Sequence, residues 1–165
     1  MRIGTLGPQD TNSEMASYFY LKENNFEGDV ALYDTPELSI EALKNEEVDK
    51  VILCIVYPKL NDIVFQNLTS IKMTGVFMKP TDAMVIGVAR DGDRACSHPA
   101  PVELIQPFYS NVELVNSNAD AAKQCALGNY DACVTTLAAA KTNNLEVKHS
   151  YGPVSMGWAI FERRH

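Results

Sequence analysis

The stretch Gly4-Thr5-Leu6-Gly7-Pro8-Gln9-Asp10-Thr11-Asn12-Ser13-Glu14 joins a short apolar strand, Arg2–Leu6, to a helix over residues 13–23. A Gly-Pro turn between them delivers Thr11, Asn12 and Ser13 to the helix start. Unpaired backbone N–H groups, hydroxyls and the positive end of the helix dipole gather at that point, which is what a small carboxylate or phosphate needs in the absence of an arginine. The same residues also serve an ordinary N-cap, in which Thr11 or Ser13 accepts from orphan amides. Either way the order is strand, turn, helix, and that order repeats.

Residues 29–33 form the next strand and end at Asp34-Thr35-Pro36-Glu37, a helix start with Thr35 as cap and Pro36 at the first position. Residues 50–56 are apolar and β-branched, the pattern of a strand buried on both faces. A short helix over 62–68 and strands over 73–78 and 83–89 follow. A second set then reads as a helix over 100–109 entered through Ser97-His98-Pro99, a strand over 112–115, and an alanine-rich helix over 118–127 stopped by Gly128. A strand over 131–134, a short helix over 136–141 and strands over 145–148 and 156–161 complete it. This alternation predicts an α/β fold of mostly parallel sheets covered by helices. The two sets predict two lobes, residues 1–80 plus 151–165 and residues 81–150, with a ligand cleft between them.

The chain has 165 residues, 46% of them hydrophobic and 21% charged, with a formal net charge of −7. No Lys/Arg cluster stands out, which argues against nucleic acid as a partner. No apolar run approaches the roughly 18 residues of a membrane span, and no apolar signal segment opens the sequence, so a cytoplasmic protein without a membrane partner is expected. Cys54, Cys96, Cys125 and Cys133 form no CxxC pair and no metal-ligand spacing with histidine. They read as buried free thiols, and no metal is expected.

Four helix starts carry small hydroxyl or amide residues just after a strand: Thr11-Asn12-Ser13, Ser97-His98-Pro99, Asn116-Ser117-Asn118 and Thr135-Thr136. In open α/β sheets, ligands sit outside the carboxyl ends of strands, where such starts point. Thr11, Asn12, Ser13, Ser97, Ser117, Asn118, Thr135 and Thr136 are therefore the candidate ligand-binding residues, with a small dicarboxylate as the ligand they fit. Each is equally at home as a simple cap. His98 is the one histidine among them, and it fits a proton donor, a hydrogen-bond donor or a turn residue.

The motifs resemble a known family. Gly4-Thr5-Leu6-Gly7-Pro8 followed by Thr11, Ser13-Glu14 and Ala16 is similar to the opening signature of prephenate dehydratases. Leu32-Tyr33-Asp34-Thr35-Pro36-Glu37, Ser97-His98-Pro99-Ala100-Pro101, Leu114-Val115-Asn116-Ser117 with Ala121-Ala122, and Val154-Ser155-Met156-Gly157-Trp158 resemble one branch more closely. That branch is the prephenate decarboxylases of bacilysin-type antibiotic biosynthesis. The resemblance spans nearly the whole chain. It implies a two-lobed fold like the type 2 periplasmic binding proteins, prephenate in the cleft, and no cofactor. Dehydratases carry a Thr-Arg-Phe signature near the C-terminus that supports loss of the ring hydroxyl. The corresponding stretch here reads Met156-Gly157-Trp158, and the family's Gly before Thr11 is Asp10.

The expected activity is therefore that of a lyase removing CO2 from prephenate without aromatising the ring. Met156 and Trp158 would form an apolar wall against the ring carboxylate, and His98 and Tyr57 are the candidate proton donors. The alternatives are a dehydratase giving phenylpyruvate and a non-catalytic binder of small carboxylates. A homodimer is compatible with any of these.

Overall fold

The computed structural model describes residues 1–164 and divides the chain into two compact units. The first comprises Met1–Pro80 and the segment from Ser155 onward; the second is Thr81–Val154.

In the first unit, β1 (Arg2–Leu6) runs into α1 (Asn12–Glu23), β2 (Asp29–Tyr33), α2 (Pro36–Lys44), β3 (Lys50–Cys54), α3 (Leu60–Gln66) and β4 (Ile71–Met78). The final strand, β10 (Gly157–Arg163), inserts between β3 and β4, giving the order β2-β1-β3-β10-β4. β1 pairs in parallel with β2 and β3, while β10 is antiparallel to both neighbours. The core holds Ile3, Ile52, Leu53, Trp158 and Phe161, each no more than 2% exposed.

The second unit contains β5 (Ala83–Val88), β6 (Arg94–Ser97), β7 (Asn111–Leu114), α4 (Asn118–Ala126), β8 (Ala132–Thr136), α5 (Leu137–Thr142) and β9 (Glu146–Pro153). Its sheet order is β7-β6-β8-β5-β9, with β6 parallel to β7 and β8, and β5 antiparallel to β8 and β9. Both sheets are thus mixed: four strands share a direction and the fourth position opposes them. β5 and β10 hold those opposing positions, and each is the first strand after the chain passes from one unit to the other.

The helix expected over 100–109 is absent; only a 3-10 turn, Val102–Leu104, forms there. Pro99, Pro101 and Pro107 explain this. Each lacks an N–H, and an interior proline clashes with the preceding turn and pushes its predecessor out of the helical region. Ser97 consequently ends strand β6 and starts no helix. β6 escaped the sequence reading because its apolar content is only Ala95 and Cys96. β9 runs on to Pro153, past the expected 145–148, because an edge strand tolerates Gly152 and Pro153. Gly128, at φ +82, terminates α4 as expected. Among the described residues, no helix is long and apolar enough to cross a membrane.

Candidate functional site

The helix starts of the two units are built differently. At α1, Thr11 has extended backbone and caps the helix: its Oγ1 accepts from the Glu14 N–H at 3.4 Å and donates to the Leu6 carbonyl at 3.5 Å. Glu14 reaches back and accepts from the Asp10 backbone N–H at 2.6 Å. This is a capping box displaced by one residue, and it places a carboxylate of the protein itself on the positive helix end. Asp10 adopts φ 65, the left-handed conformation that glycine enters most easily and Asp tolerates. The backbone shape that explains the family's Gly is therefore retained with Asp10. Asn12 and Ser13 follow, half-buried, with the Ser13 carbonyl accepting from Ser17 Oγ.

At α4, Ser117 is extended and accepts from the Asp120 N–H at 3.0 Å. Asn118 occupies the first helical position. Its carbonyl accepts from the fully buried Thr135 Oγ1 at 2.6 Å, so strand β8 and the start of α4 are tied together. Ser117, Asn118 and Thr135 are thus neighbours. Thr136, 3% exposed, caps the short α5 by accepting from the Ala139 N–H.

Ser97 is fully buried and donates from Oγ to the His98 carbonyl at 2.8 Å. His98 Nδ1 accepts from the Ala100 N–H at 3.2 Å, which leaves the ring proton on Nε2. Burial holds the His98 pKa below the ordinary histidine value. At neutral pH this ring is a neutral N–H donor. Through Nε2 it is a hydrogen-bond donor.

In the first unit, Tyr57 is half-buried beside the core cluster of Leu43, Val51 and Leu53. Burial, reinforced by Glu37, raises its pKa, so it remains a phenol. Met156 is half-buried against the cluster containing Ile3, Ala16 and Trp158. Trp158 lies deeper, 2% exposed, with its indole N–H donated to the Lys79 carbonyl at 3.0 Å. It supports the strand and offers no open face. Between them, Gly157 has a constraint that sequence alone did not reveal. A Cβ there would press on the end of the Ile55 side chain, and the Ile55 N–H donates to the Gly157 carbonyl at 3.1 Å. The space beside residue 157 is taken by the end of the Ile55 side chain, itself exposed to solvent.

The sequence reading also passed over a hollow of about 310 Å³ in the second unit, lined by Ile86, Phe108, Tyr109, Lys148 and His149. None of the candidate residues borders it. Its lining comes from three separate stretches of the sequence, so no sequence pattern marks it. Among the described residues, no group of three or more His, Cys, Asp or Glu is arranged to hold a metal ion.

No protein-family model matches the chain. The prephenate decarboxylase of Planktothrix agardhii (strain NIVA-CYA 126/8) is 32% identical, over 98% of this chain and 88% of that protein. The prephenate dehydratase of Arthrobacter aurescens, solved in complex with L-Phe, superposes with a TM-score of 0.75 at 17% identity, covering 100% of this chain and 60% of that one. A periplasmic substrate-binding protein of an ABC transporter from Coxiella burnetii superposes with a TM-score of 0.60 at 14% identity, covering 99% and 84%. The two superpositions give the fold, an α/β architecture like that of the type 2 periplasmic binding proteins. The extent and level of identity to the Planktothrix protein give the family: this chain belongs to the prephenate decarboxylases.

Proposed function

We propose that the protein removes CO2 from prephenate and leaves the ring non-aromatic. Kinship to the Planktothrix decarboxylase over 98% of the chain supports the substrate. The observation that carries the outcome is Gly157. It stands where the dehydratase signature has arginine, and the end of the Ile55 side chain lies where a side chain at 157 would begin.

Prephenate bears a ring carboxylate, a pyruvyl carboxylate and a ring hydroxyl. Breaking the ring C–CO2 bond leaves an electron pair in the diene. Expelling hydroxide aromatises the ring to phenylpyruvate, whereas adding a proton to a ring carbon keeps the hydroxyl. Departure of hydroxide needs an acid or a cation beside it. Gly157 and Ile55 supply neither.

The pyruvyl carboxylate is assigned to the α4 start, where Ser117 and Asn118 stand on β8 through Thr135. There the first two helix N–H groups lie outside the helix's own bonding. The α1 start, with Thr11, Asn12 and Ser13, is the weaker anion anchor because Glu14 and Asp10 already place negative charge on it. Thr136 and Ser97 act through the backbone they brace. In the first unit, Met156 is an apolar neighbour of the kind that weakens carboxylate solvation and favours loss as neutral CO2. Trp158 anchors the start of β10, which Met156 precedes. Tyr57, still protonated, is the proton source, and His98 contributes its Nε2–H as a hydrogen-bond donor. A cytoplasmic setting, a homodimer and a place in bacilysin-type antibiotic biosynthesis belong to the same proposal.

The test is a Gly157→Arg, Ile55→Gly variant, which opens the space and refills it with a cation. Prephenate turnover should shift toward phenylpyruvate, read from its enol absorbance. A variant that turns over prephenate with no such shift refutes the role given to Gly157.

A further inference from the structure

We infer that the outer face of strand β4, with the helix beside it, is where two copies of this chain meet. The contact rests on the homodimer reading given above and supplies its surface.

The two sheets end on four edge strands, β2 and β4 in the first unit and β7 and β9 in the second. An open edge offers unpaired backbone groups to any other strand, so edges are commonly kept short or charged. β2 has five residues with Asp29 among them, and β7 has four with Glu113. β9 carries Glu146, Lys148 and Pro153. β4 runs for eight residues, and its stretch Met73-Thr74-Gly75-Val76-Phe77-Met78 holds neither charge nor proline. The charge that precedes this stretch, Lys72, lies opposite Glu162 of β10.

Register against β10 sets which way the β4 side chains point. Met73 lies opposite Phe161, Val76 opposite Ala159 and Met78 opposite Gly157, and residues directly across a ladder share a face. A register shift at Ile160/Phe161 adds Thr74 to β4 and so brings Met73 and Val76, three apart, to one side. Phe161 and Ala159 belong to the core cluster that α2 and α3 cover. One strand further out the same face is open: Met73, Val76 and Met78 are 46%, 54% and 62% exposed. On this face α3 adds Phe65, 73% exposed, and the exposed Leu68 follows it. From behind, Phe77 packs against Phe19 and Tyr20 of α1, with ring centroids 6.1 and 5.5 Å away, so the strand is held in place.

These five side chains expose on the order of 500 Å² of apolar surface, toward the upper end of the largest patch a monomer usually shows. Doubled across a two-fold axis, this reaches about the 1,000 Å² that a specific contact needs. A second copy is the occupant that fits. With a formal net charge of −7, two copies repel unless they meet where neither presents charge, and residues 73–78 are such a place. In a two-fold contact the patch is its own complement, and methionine side chains adapt to one another.

The experiment is sedimentation velocity of the full chain over a wide concentration range. It compares wild type with Val76→Lys, Phe65→Ser and a control, Val147→Lys, at an exposed position on the β9 edge of the other sheet. Wild type should sediment as a dimer of the 18.2 kDa chain. Val76→Lys puts two like charges into the contact and should raise the dissociation constant at least about a hundredfold. Phe65→Ser, which adds no charge, should raise it about tenfold. Far-ultraviolet circular dichroism and the urea midpoint of both variants, compared with wild type diluted to monomer, should be unchanged, because both side chains are open to solvent in the single chain. Val147→Lys should leave the dimer intact. A dimer that survives both Val76→Lys and Phe65→Ser, or one that Val147→Lys dissociates, overturns the β4 contact and leaves the homodimer standing. A monomer at every concentration overturns both. Prephenate turnover by the same samples tests the decarboxylase reading apart from either.

Discussion

The first unit packs Trp158, Phe161, Ile52 and Leu53 around its sheet, whereas in the second the cluster containing α4 is dominated by Ala121, Ala122, Cys125, Cys133 and Ala140, a separate cluster holding Ile86, Ile105 and Val134. Each sheet is three parallel strands, an opposing strand and an edge strand, in equivalent order. With large side chains, a helix stands off from its sheet and the interior depends on filling volume. Alanine and cysteine let a helix approach its sheet closely, and an interior at native packing density leaves little room for added atoms. The helix starts differ in the same sense. The first unit's α1 start is occupied by its own Glu14, while the second unit's α4 start retains an unpaired buried acceptor. The same architecture thus gives one unit that carries strand β10 and another whose α4 start keeps an unpaired buried acceptor.

The contrast is broken most severely at Trp158. Trp158→Ala removes the largest fully buried side chain of the first unit and strands the Lys79 carbonyl. We expect a loss of about 3–5 kcal/mol in urea unfolding. A loss under 1 kcal/mol would mean that Trp158 is peripheral and free to serve a ligand. In the second unit the sensitive direction is the reverse. Ala121→Leu adds volume where Ala121 is fully buried against β8 and should cost about 1–3 kcal/mol by the same measurement. A neutral result would show that unit to be loosely packed. The smallest effect is at the α1 start. Asp10→Gly relieves a left-handed residue while keeping the backbone N–H that Glu14 uses. It should change stability by under about 1 kcal/mol, and in the stabilising direction. Clear destabilisation would assign Asp10's carboxylate a structural role that its exposure does not indicate.

These expectations also mark how far the sequence could be read. Strand-turn-helix order at the N-terminus, the Thr35-Pro36 helix start and the Gly128 stop were legible because each depends on local backbone chemistry. The 100–109 segment has helical apolar spacing, but Pro101 and Pro107 within it and Pro99 just before it forbid the helix. β6 and the far end of β9 were invisible because one has almost no apolar content and the other is an exposed edge. Of the site, caps could be recognised from Thr11, Ser117 and Thr136. Three further features depend on contacts between distant residues, which no spacing rule encodes: Glu14 closing its own helix start, Ile55 filling the space beside Gly157, and Asn118 left without a donor.

The central claim is decarboxylation without aromatisation. The direct measurement is to incubate the purified protein with prephenate, quantify CO2 released, and follow the ring by proton NMR alongside the ultraviolet absorbance of the phenylpyruvate enol. The account predicts one CO2 per prephenate consumed, vinylic ring protons persisting in the product, and no enzyme-dependent rise in phenylpyruvate. Phenylpyruvate as the main enzymatic product, or prephenate recovered unchanged, would contradict it.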